Sequence, residues 1–332
     1  MTKIQCIQIR SAWSRLGKFI LVWFTLFLVS SAFAQPQSGK PVRLIVGYAA
    51  GGGADILARL MVPRLAEALG QPVMVDNRPG AGGTIAAAQL AASAPDGQTL
   101  YFSDAGFVTA PGIYDQLPYD PNIGIAPVAN VASLPLAFSV HPSVPAATPA
   151  ELIALLKANP DKYSYGSPGI GTLHHLSAEL IKKQTGIRMT HIPYKGAAPA
   201  LTDLIGGQIP LAITSATAAL GHAGSGKLRV IGLSSRERIS SAPSVATMAE
   251  GLQGFSATND LFVLAPGGTS TATIARINAA VKVSLSSKEL QESFLAQGAI
   301  VEWTSTEDLA IRIKRDIERW RSIAKEASIR AQ

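Results

Sequence analysis

Residues 42–55, VRLIVGYAAGGGAD, join a short apolar run to three consecutive glycines and an acidic residue. A five-residue apolar run is typical of a buried strand, and Asp55 is a residue type that caps helix N-termini. Glycines also follow apolar runs at 80–84, after 73–75, and at 166–172, after Tyr163. The sequence therefore predicts repeated units in which a strand passes through a glycine loop into a helix.

Short apolar runs alternate with segments of helical period along the rest of the chain, which predicts an α/β fold with largely parallel sheets. Two smaller sheets enclose a small ligand more often than one large sheet does. We expect one domain over 35–140 with 255–332 and a second over 141–254. The predicted strands are 42–46, 73–75, 99–103, 136–140, 163–166, 189–192, 211–214, 228–233 and 256–264, and the predicted helices are 56–69, 84–92, 149–158, 172–185, 197–205, 270–286, 287–297 and 305–327. Pro63 is expected to kink or split the first helix.

The first 34 residues have the pattern of a secretory signal peptide. Four basic residues and no acidic residue precede an apolar run over 19–29, and Ala32-Phe33-Ala34 follows. We expect cleavage after Ala34 and a location in the periplasm of a Gram-negative bacterium; an uncleaved membrane anchor is the alternative. The single cysteine, Cys6, would leave with the signal, so the mature chain would carry no disulfide.

Composition and motif spacing exclude several classes of function. The chain has 29 Lys and Arg against 22 Asp and Glu, and four of the basic residues lie in the signal, so no nucleic-acid surface is expected. Residues 221–227, GHAGSGK, lack the hydroxyl residue that a phosphate-binding P-loop has after its lysine. Ser167 lies in an incomplete hydrolase elbow. His175 and Glu179 have a spacing that metals can use, although a polar role without metal is the favoured interpretation.

The glycine loops favour a bound anion. A strand that enters a helix through glycine leaves backbone N–H groups and the positive end of the helix dipole directed at one place. Ligands of open α/β sheets bind at the carboxyl ends of the strands, where these loops lie. Plain turn chemistry remains the alternative for any single loop.

Many short motifs resemble those of the Bug-type receptors, the periplasmic solute-binding components of tripartite tricarboxylate transporters. The resemblance covers the whole mature chain, in order. Its motifs include PVRLIV at 41–46, LGQPV at 69–73, NRPGAGG at 77–83, LPYDP at 117–121, HIPYKG at 191–196, GGQ at 206–208 and GKLR at 226–229. It implies a two-domain, Venus-flytrap fold of the type II-like class, with a carboxylated solute held in the cleft between the domains.

The resemblance also implies which residues contact the solute. The expected carboxylate loops are 48–55 and 167–172, with neighbouring loops beside them. Asp260 stands where the chain departs from the family pattern; facing the cleft it would favour a cationic group on the solute, but a solvated or hinge-region aspartate is the favoured interpretation. Asp55 is expected to cap its helix, and His175 to form a polar wall. The complete predicted set is Tyr48, Ala50, Gly51, Gly52, Gly53, Asp55, Gly83, Thr84, Ser103, Asp104, Ser167, Gly169, Gly171, Thr172, His175, Tyr194, Lys195, Thr214, Ser215, Ala216 and Asp260. Ala50, Thr172, Lys195 and the segment around Asp260 depart from the usual family pattern.

These observations together predict a receptor that makes and breaks no bonds. We expect no catalytic residue, no metal and no cofactor, because capture needs only different affinities in the open and closed states. The expected partners are a small carboxylate solute and two membrane permease subunits, one small and one large, with the receptor itself a monomer. An extracytoplasmic sensor for the same solutes and an exported hydrolase are the alternative functions.

Overall fold

A computed structural model describes residues 40–51, 53–194 and 196–330. The predicted signal peptide and its cleavage site, Gly52 and Lys195 lie outside these residues. The described chain forms two β-sheets, each flanked by helices.

The first sheet has six strands in the order β11-β4-β10-β3-β1-β2. We call this sheet and its helices lobe 1. Strand β1 pairs in parallel with β2 and β3, whereas β10 is antiparallel to β3 and β4, and β11 is antiparallel to β4. The strands are β1 (Val42–Val46), β2 (Val73–Asn77), β3 (Thr99–Ser103), β4 (Ile125–Leu134), β10 (Asn259–Pro266) and β11 (Ile300–Val301).

The second sheet has five strands in the order β7-β6-β8-β5-β9, and we call it and its helices lobe 2. Strand β6 is parallel to β7 and β8, and β5 is antiparallel to β8 and β9. Both sheets are therefore mixed, rather than mostly parallel as the sequence predicted. The strands are β5 (Leu136–Val140), β6 (Ser164–Ser167), β7 (Thr190–Pro193), β8 (Leu211–Ser215) and β9 (Arg229–Leu233).

Ten helices flank the sheets in the described residues. They are α1 (Gly53–Leu69), α2 (Thr84–Ala91), α3 (Gly106–Ile113), α4 (Pro149–Ala158), α5 (Leu173–Thr185), α6 (Ala197–Ile205), α7 (Ala216–Ala223), α8 (Thr271–Leu285), α9 (Lys288–Ala296) and α10 (Thr306–Glu326). Six of them begin after a Ser or Thr whose side chain accepts a hydrogen bond from the first turn, namely α4, α5, α7, α8, α9 and α10. Such caps satisfy amides that the helix itself leaves without acceptors.

Three elements of eight or more residues and the two-residue strand β11 were not predicted from the sequence, and each of the three longer ones has a physical reason. Strand β4 carries Pro127 among alanines and serine, which are poor strand formers, and it is held between β10 and β11 with register shifts against β10. Helix α3 contains two glycines and Pro111, which disfavour a helix in isolation. Helix α7 is short, and its alanines give no apolar stripe. Helix α1 continues through Pro63, so the predicted split is wrong.

The chain passes from the first sheet to the second at Pro135. Strand β4 ends at Leu134 and β5 begins at Leu136, and β5 pairs only within the second sheet. Proline has no N–H for a strand ladder, which explains the break at this position. Residues 136–140 were predicted to belong to the first domain, but they pair within the sheet of lobe 2. The division into domains itself stays a prediction.

Helix α10 lies against both lobes. It packs on α3 of lobe 1 and on α5 of lobe 2, and Lys183 of α5 donates to Glu326 of α10 at 2.7 Å. One hydrophobic cluster contains Tyr101 of β3, Tyr165 of β6 and Trp320 of α10. The two sheets therefore share apolar packing through this helix.

Candidate functional site

A cavity of about 650 Å³ lies between the two lobes, and we call it the cleft. Lobe 1 contributes Tyr48, Gly82, Asp104, Ala105, Gly106, Thr109, Ala110, Ile113, Tyr114 and Asn259, and lobe 2 contributes Pro168, Gly169, Ile170, Gly171, Thr172, Leu173, His174, Pro193 and Tyr194. Much of the wall is apolar, with a few polar groups on each side. Such a combination is typical of a site for a small organic molecule.

Six of the predicted site residues line the cleft: Tyr48, Asp104, Gly169, Gly171, Thr172 and Tyr194. The other predicted residues within the described chain do not: Ala50, Gly51, Gly53, Asp55, Gly83, Thr84, Ser103, Ser167, His175, Thr214, Ser215, Ala216 and Asp260. Gly52 and Lys195 lie outside the described residues. The structure therefore brings together the second predicted carboxylate loop and only the start of the first.

The glycine amides proposed as anion ligands already have partners. Gly51 donates to Asp55 Oδ2 at 2.8 Å, and Gly169 donates to Ser167 Oγ at 3.2 Å. Gly171 donates to His175 Nδ1 at 3.2 Å. An amide with an internal acceptor does not supply its N–H to a ligand. The expectation that these three amides hold the anion is not supported.

Asp55 is a structural residue in this arrangement. It lies inside α1, which begins at Gly53, and its carboxylate also accepts hydrogen bonds from Arg59 at 2.9 Å and from Asn77 at 2.9 Å. The bond from Arg59, with those from Gly51 and Asn77, lowers the pKa of Asp55 to about 2. Asp55 thus fixes the first glycine loop instead of serving as the N-cap.

The N-terminus of α5 directs free backbone donors into the cleft. Thr172 is the N-cap, and its hydroxyl accepts from the amide of His175 at 3.4 Å. The amides of Leu173 and His174 lie in the first turn of the helix, where no carbonyl of the helix can accept their hydrogen bonds. They also have no other acceptor among the described residues. Leu173 and His174 both line the cleft, where the helix dipole favours negative charge.

His174, and not the predicted His175, forms the polar wall here. His174 Nδ1 is buried without a hydrogen-bond partner among the described residues, and burial lowers the pKa of His174 to about 4. His174 is therefore neutral near pH 7 and presents one ring N–H and one acceptor nitrogen. His175 instead stacks on His191 with ring centroids 3.8 Å apart.

Asp104 lies on the opposite wall of the cleft. Tyr48 donates to its carboxylate, with the hydroxyl 2.8 Å from each oxygen, and the Gly106 amide donates at 2.9 Å. Burial raises the pKa of Asp104 despite these bonds. Asp104 is the one acidic side chain among the described residues that line the cleft, and none of those residues is Lys or Arg.

Ser167 and His191 form a close pair behind the cleft. Ser167 Oγ lies 2.7 Å from His191 Nε2, a distance suited to a nucleophile and its base. Ser167 is fully buried, and neither residue lines the cleft. His191 also has its pKa lowered to about 4, mainly by burial. A catalytic triad requires a serine that substrate can reach and a carboxylate bonded to the imidazole. Within the described residues, this pair has neither.

The described residues contain neither a cluster suited to a metal ion nor a helix suited to crossing a membrane. No group of three or more His, Cys, Asp or Glu side chains is arranged there to hold a metal ion. His175 Nε2 is 3.8 Å from Glu179 Oε1, but the same oxygen accepts from Lys182 at 2.9 Å. Within 40–51, 53–194 and 196–330, no helix is both long enough and apolar enough to cross a membrane.

Asp260 faces a second cavity and not the cleft. Its carboxylate is buried and forms an ion pair with Arg312, and both residues line a cavity of about 340 Å³. The preceding residue, Asn259, lines the cleft. Successive residues of a strand point to opposite faces, so the start of β10 separates the two cavities, and a contact of Asp260 with the solute is not supported.

Known proteins are similar to this chain over most of its length. A sequence model described as "Tripartite tricarboxylate transporter family receptor" matches residues 57–329. The chain is 35% identical to the protein BugT of Bordetella pertussis over an alignment 315 residues long, which covers 92% of this chain and 97% of BugT.

Solved structures are similar over most of the chain. The periplasmic binding protein BugD is 32% identical, with a TM-score of 0.70 over 90% of this chain and all of BugD. The Rpa4515 protein of R. palustris with adipate is 34% identical, with a TM-score of 0.72 over 88% of this chain and 98% of that one. MatC of Rhodopseudomonas palustris with bound malate is 29% identical, with a TM-score of 0.68 over 85% of this chain and 98% of that one.

Proposed function

The chain belongs to the tripartite tricarboxylate transporter receptor family, and on that premise we propose that it captures a small carboxylate in the cleft and delivers it to a tripartite membrane transporter. The family and the periplasmic binding protein fold that the sequence predicted are both confirmed. The proteins of this family are solute-binding proteins, and two similar structures carry the dicarboxylates adipate and malate.

The single observation that carries the proposal is the start of α5. The amides of Leu173 and His174, the helix dipole and the neutral imidazole of His174 converge on one wall of the cleft. A carboxylate accepts hydrogen bonds from such groups, and a bond to a charged acceptor contributes roughly 1.5–3 kcal/mol. On the other wall, the Gly106 amide already donates to Asp104.

Asp104 determines what the other end of the solute presents. A carboxylate of the solute placed beside it would meet a second carboxyl group in a buried setting, which is unfavourable unless one of them is protonated. A hydroxyl, an ammonium or a protonated carboxyl group would donate to Asp104 instead. We therefore expect a solute with one carboxylate at α5 and a hydrogen-bond donor toward Asp104, with an apolar body against Ile113, Ile170 and Leu173.

Calorimetric titration tests the proposal. The panel comprises linear dicarboxylates, hydroxy acids, amino acids and aromatic acids, each against folded protein freed of bound solute. We expect saturable heat for at least one acid with a micromolar Kd, about −8 kcal/mol, and no heat for its uncharged amide. Folded protein that binds no member of a broad panel would refute the proposal.

A substitution at His174 separates binding from folding. Replacing His174→Phe removes the ring N–H but keeps an aromatic ring, so it should weaken the acid's binding about tenfold or more while the protein stays folded. His222, an exposed histidine in lobe 2, provides the matched control, and His222→Phe should leave affinity unchanged. Equal affinities in the two variants would contradict the role of His174.

Delivery and location are separate parts of the proposal. We infer that the chain is exported to the periplasm, is cleaved after Ala34 and acts as a monomer with one small and one large permease subunit. Mass spectrometry of the exported protein should find Gln35 at its N-terminus. Deleting the receptor should abolish uptake of the acid identified by calorimetry; uptake that persists while a transcriptional response is lost would indicate a sensor instead.

A further inference from the structure

Four arginines surround the second cavity of about 340 Å³, which we call the arginine pocket. Three of them, Arg312, Arg315 and Arg319, come from successive turns of α10, and Arg236 follows β9. Residues of the segment 254–258 before β10, Asp260 of β10 and Gln184 of α5 complete much of the wall. The pocket thus joins elements from both lobes and lies on the side of α3 and β10 away from the cleft.

The internal partners of these arginines leave positive charge uncompensated. Arg312 pairs with Asp260 and, at 3.0 Å, with Glu302, and Arg315 lies 3.1 Å from Asp316. Arg319 donates to the carbonyl of Ser256, which carries no full charge. Arg236 forms no ion pair within the described residues. The four guanidinium groups thus have three carboxylate partners, those of Asp260, Glu302 and Asp316, of which only Asp260 and Asp316 line the pocket.

The surroundings of Arg312 and Arg319 also favour a bound anion. Arg312 Nε is buried and has no hydrogen-bond partner among the described residues. Burial lowers the pKa of Arg319, and the guanidinium groups of Arg315 and Arg236 lower it further, although Asp316 opposes them. Burial also raises the pKa of Asp260 to about 7, which weakens its contribution of negative charge. Arg312 and Arg319 are partly buried, whereas Arg236 and Arg315 are exposed. The buried positive charge is costly unless anionic groups lie beside it.

We propose that the arginine pocket binds a small oxyanion with two negative charges. Guanidinium groups present paired N–H donors in a plane, and they bind phosphate-like and carboxylate oxygens with two bonds at once. The pocket is larger than a single tetrahedral oxyanion and leaves space for water. This proposal does not rest on the solute-binding function, since it concerns a different cavity.

The position of the pocket connects this anion to the cleft. Ala105 lines both cavities, and Asn259 and Asp260 are neighbours on opposite sides of β10. Asn259 also accepts a hydrogen bond from the amide of Ala105 at 3.0 Å. An anion that joins Arg236 to Arg319 would fix the segment between β9 and β10, which connects the lobes. If the bound anion changes the affinity for the solute by some factor, the bound solute must change the affinity for the anion by the same factor.

Titration with inorganic phosphate tests the inference. The protein is freed of anions and titrated calorimetrically in a low-salt buffer, with sodium chloride at equal ionic strength as the reference, because salt screens charges. We expect saturable binding of phosphate and none of chloride. Arg236→Gln and the double variant Arg236→Gln/Arg319→Gln should weaken phosphate binding at least tenfold. Arg236 is exposed, so the single variant should remain folded.

Two controls make each outcome decisive. Arg276→Gln removes another exposed arginine far from the pocket in sequence and should bind phosphate as the wild type does. Gly171→Leu fills the cleft and should also leave phosphate binding intact. Binding that is absent, that survives in the double arginine variant, or that disappears in Gly171→Leu would overturn the proposal.

Discussion

A substitution at Gly171 tests whether the α5 wall approaches lobe 1 around the solute. Gly171 precedes α5 with φ +74°, and a Cβ added there would lie 3.1 Å from Ile113 Cδ1 across the cleft. Gly186 follows the same helix with φ +72°, and a Cβ added there would have no heavy atom within 4 Å. The two glycines therefore have nearly the same φ but different surroundings.

A comparison of alanine variants at Gly171 and Gly186 therefore isolates the effect of the contact across the cleft. Gly171→Ala and Gly186→Ala should each lower the free energy of unfolding by about 1 kcal/mol, because L-residues are strained at positive φ. The Gly171 amide still donates to His175 after the change to alanine. Only Gly171→Ala introduces a methyl group that Ile113 must move away from, by a few tenths of an ångström.

The expected result concerns affinity for the acid found by calorimetry. Gly171→Ala should weaken binding about three- to tenfold, roughly 0.7–1.4 kcal/mol, and Gly171→Leu should weaken it about a hundredfold or more. Gly186→Ala should bind as the wild type does. Urea denaturation measures the stability of each variant, and calorimetry measures the affinity. Equal affinities for Gly171→Ala and Gly186→Ala would refute the reasoning that this loop faces the solute.

Three further predictions follow from the buried ionisable groups. The free energy of unfolding should fall as the pH falls from about 6.5 to 4, because His174, His175 and His191 have pKa values of about 4 in the folded protein. In this range the histidines bind protons in the unfolded state but not in the folded state, which costs on the order of 3 kcal/mol each. Urea denaturation at several pH values measures this, and a flat profile would contradict the lowered pKa values. The pKa of Asp260 is raised to about 7, so the folded state binds one proton there as the pH falls. This offsets the loss of stability from at most one histidine. Asp104→Asn should weaken binding of hydroxy or amino acids and strengthen binding of dianions several-fold, and an unchanged ranking across the calorimetric panel would contradict the role of Asp104. Asp55→Ala should lower the free energy of unfolding by about 2 kcal/mol, from the shift of its pKa to about 2, and a thermal or urea midpoint equal to that of the wild type would contradict its structural role.

Local sequence patterns predicted most of the secondary structure. The bounds of β1, β3, β5, α4 and α6 match the predictions because each segment has a clear apolar pattern and a Gly, Pro, Ser or Thr near its ends. Strand β4 was missed because its pairing with β10 and β11, and not its own residues, makes it a strand. Such long-range pairing overrides local propensity.

The site was predicted in outline but not in its donors. The loop before α5 was expected to face the solute, and it lines the cleft. The amides of Gly51, Gly169 and Gly171 were expected to be free, but short side chains nearby accept their hydrogen bonds. Choosing His174 over His175 depends on where the helix begins, to within one residue, and sequence patterns do not fix helix ends that closely.

The arginine pocket had no signal in the sequence. Arg236 and Arg319 are far apart along the chain, and they meet only because α10 packs beside the segment that returns from lobe 2 to lobe 1. The spacing of Arg312, Arg315 and Arg319 is visible in α10, but a charged helical face is usually solvated. Tertiary structure was needed to place a cavity beside it.

A crystal structure with the acid identified by calorimetry tests the central claim most directly. The account predicts difference density in the cleft, with a carboxylate within hydrogen-bond distance of the Leu173 and His174 amides. Density for the acid in the arginine pocket, on the outer surface, or in the cleft with its carboxylate turned away from α5 would contradict it.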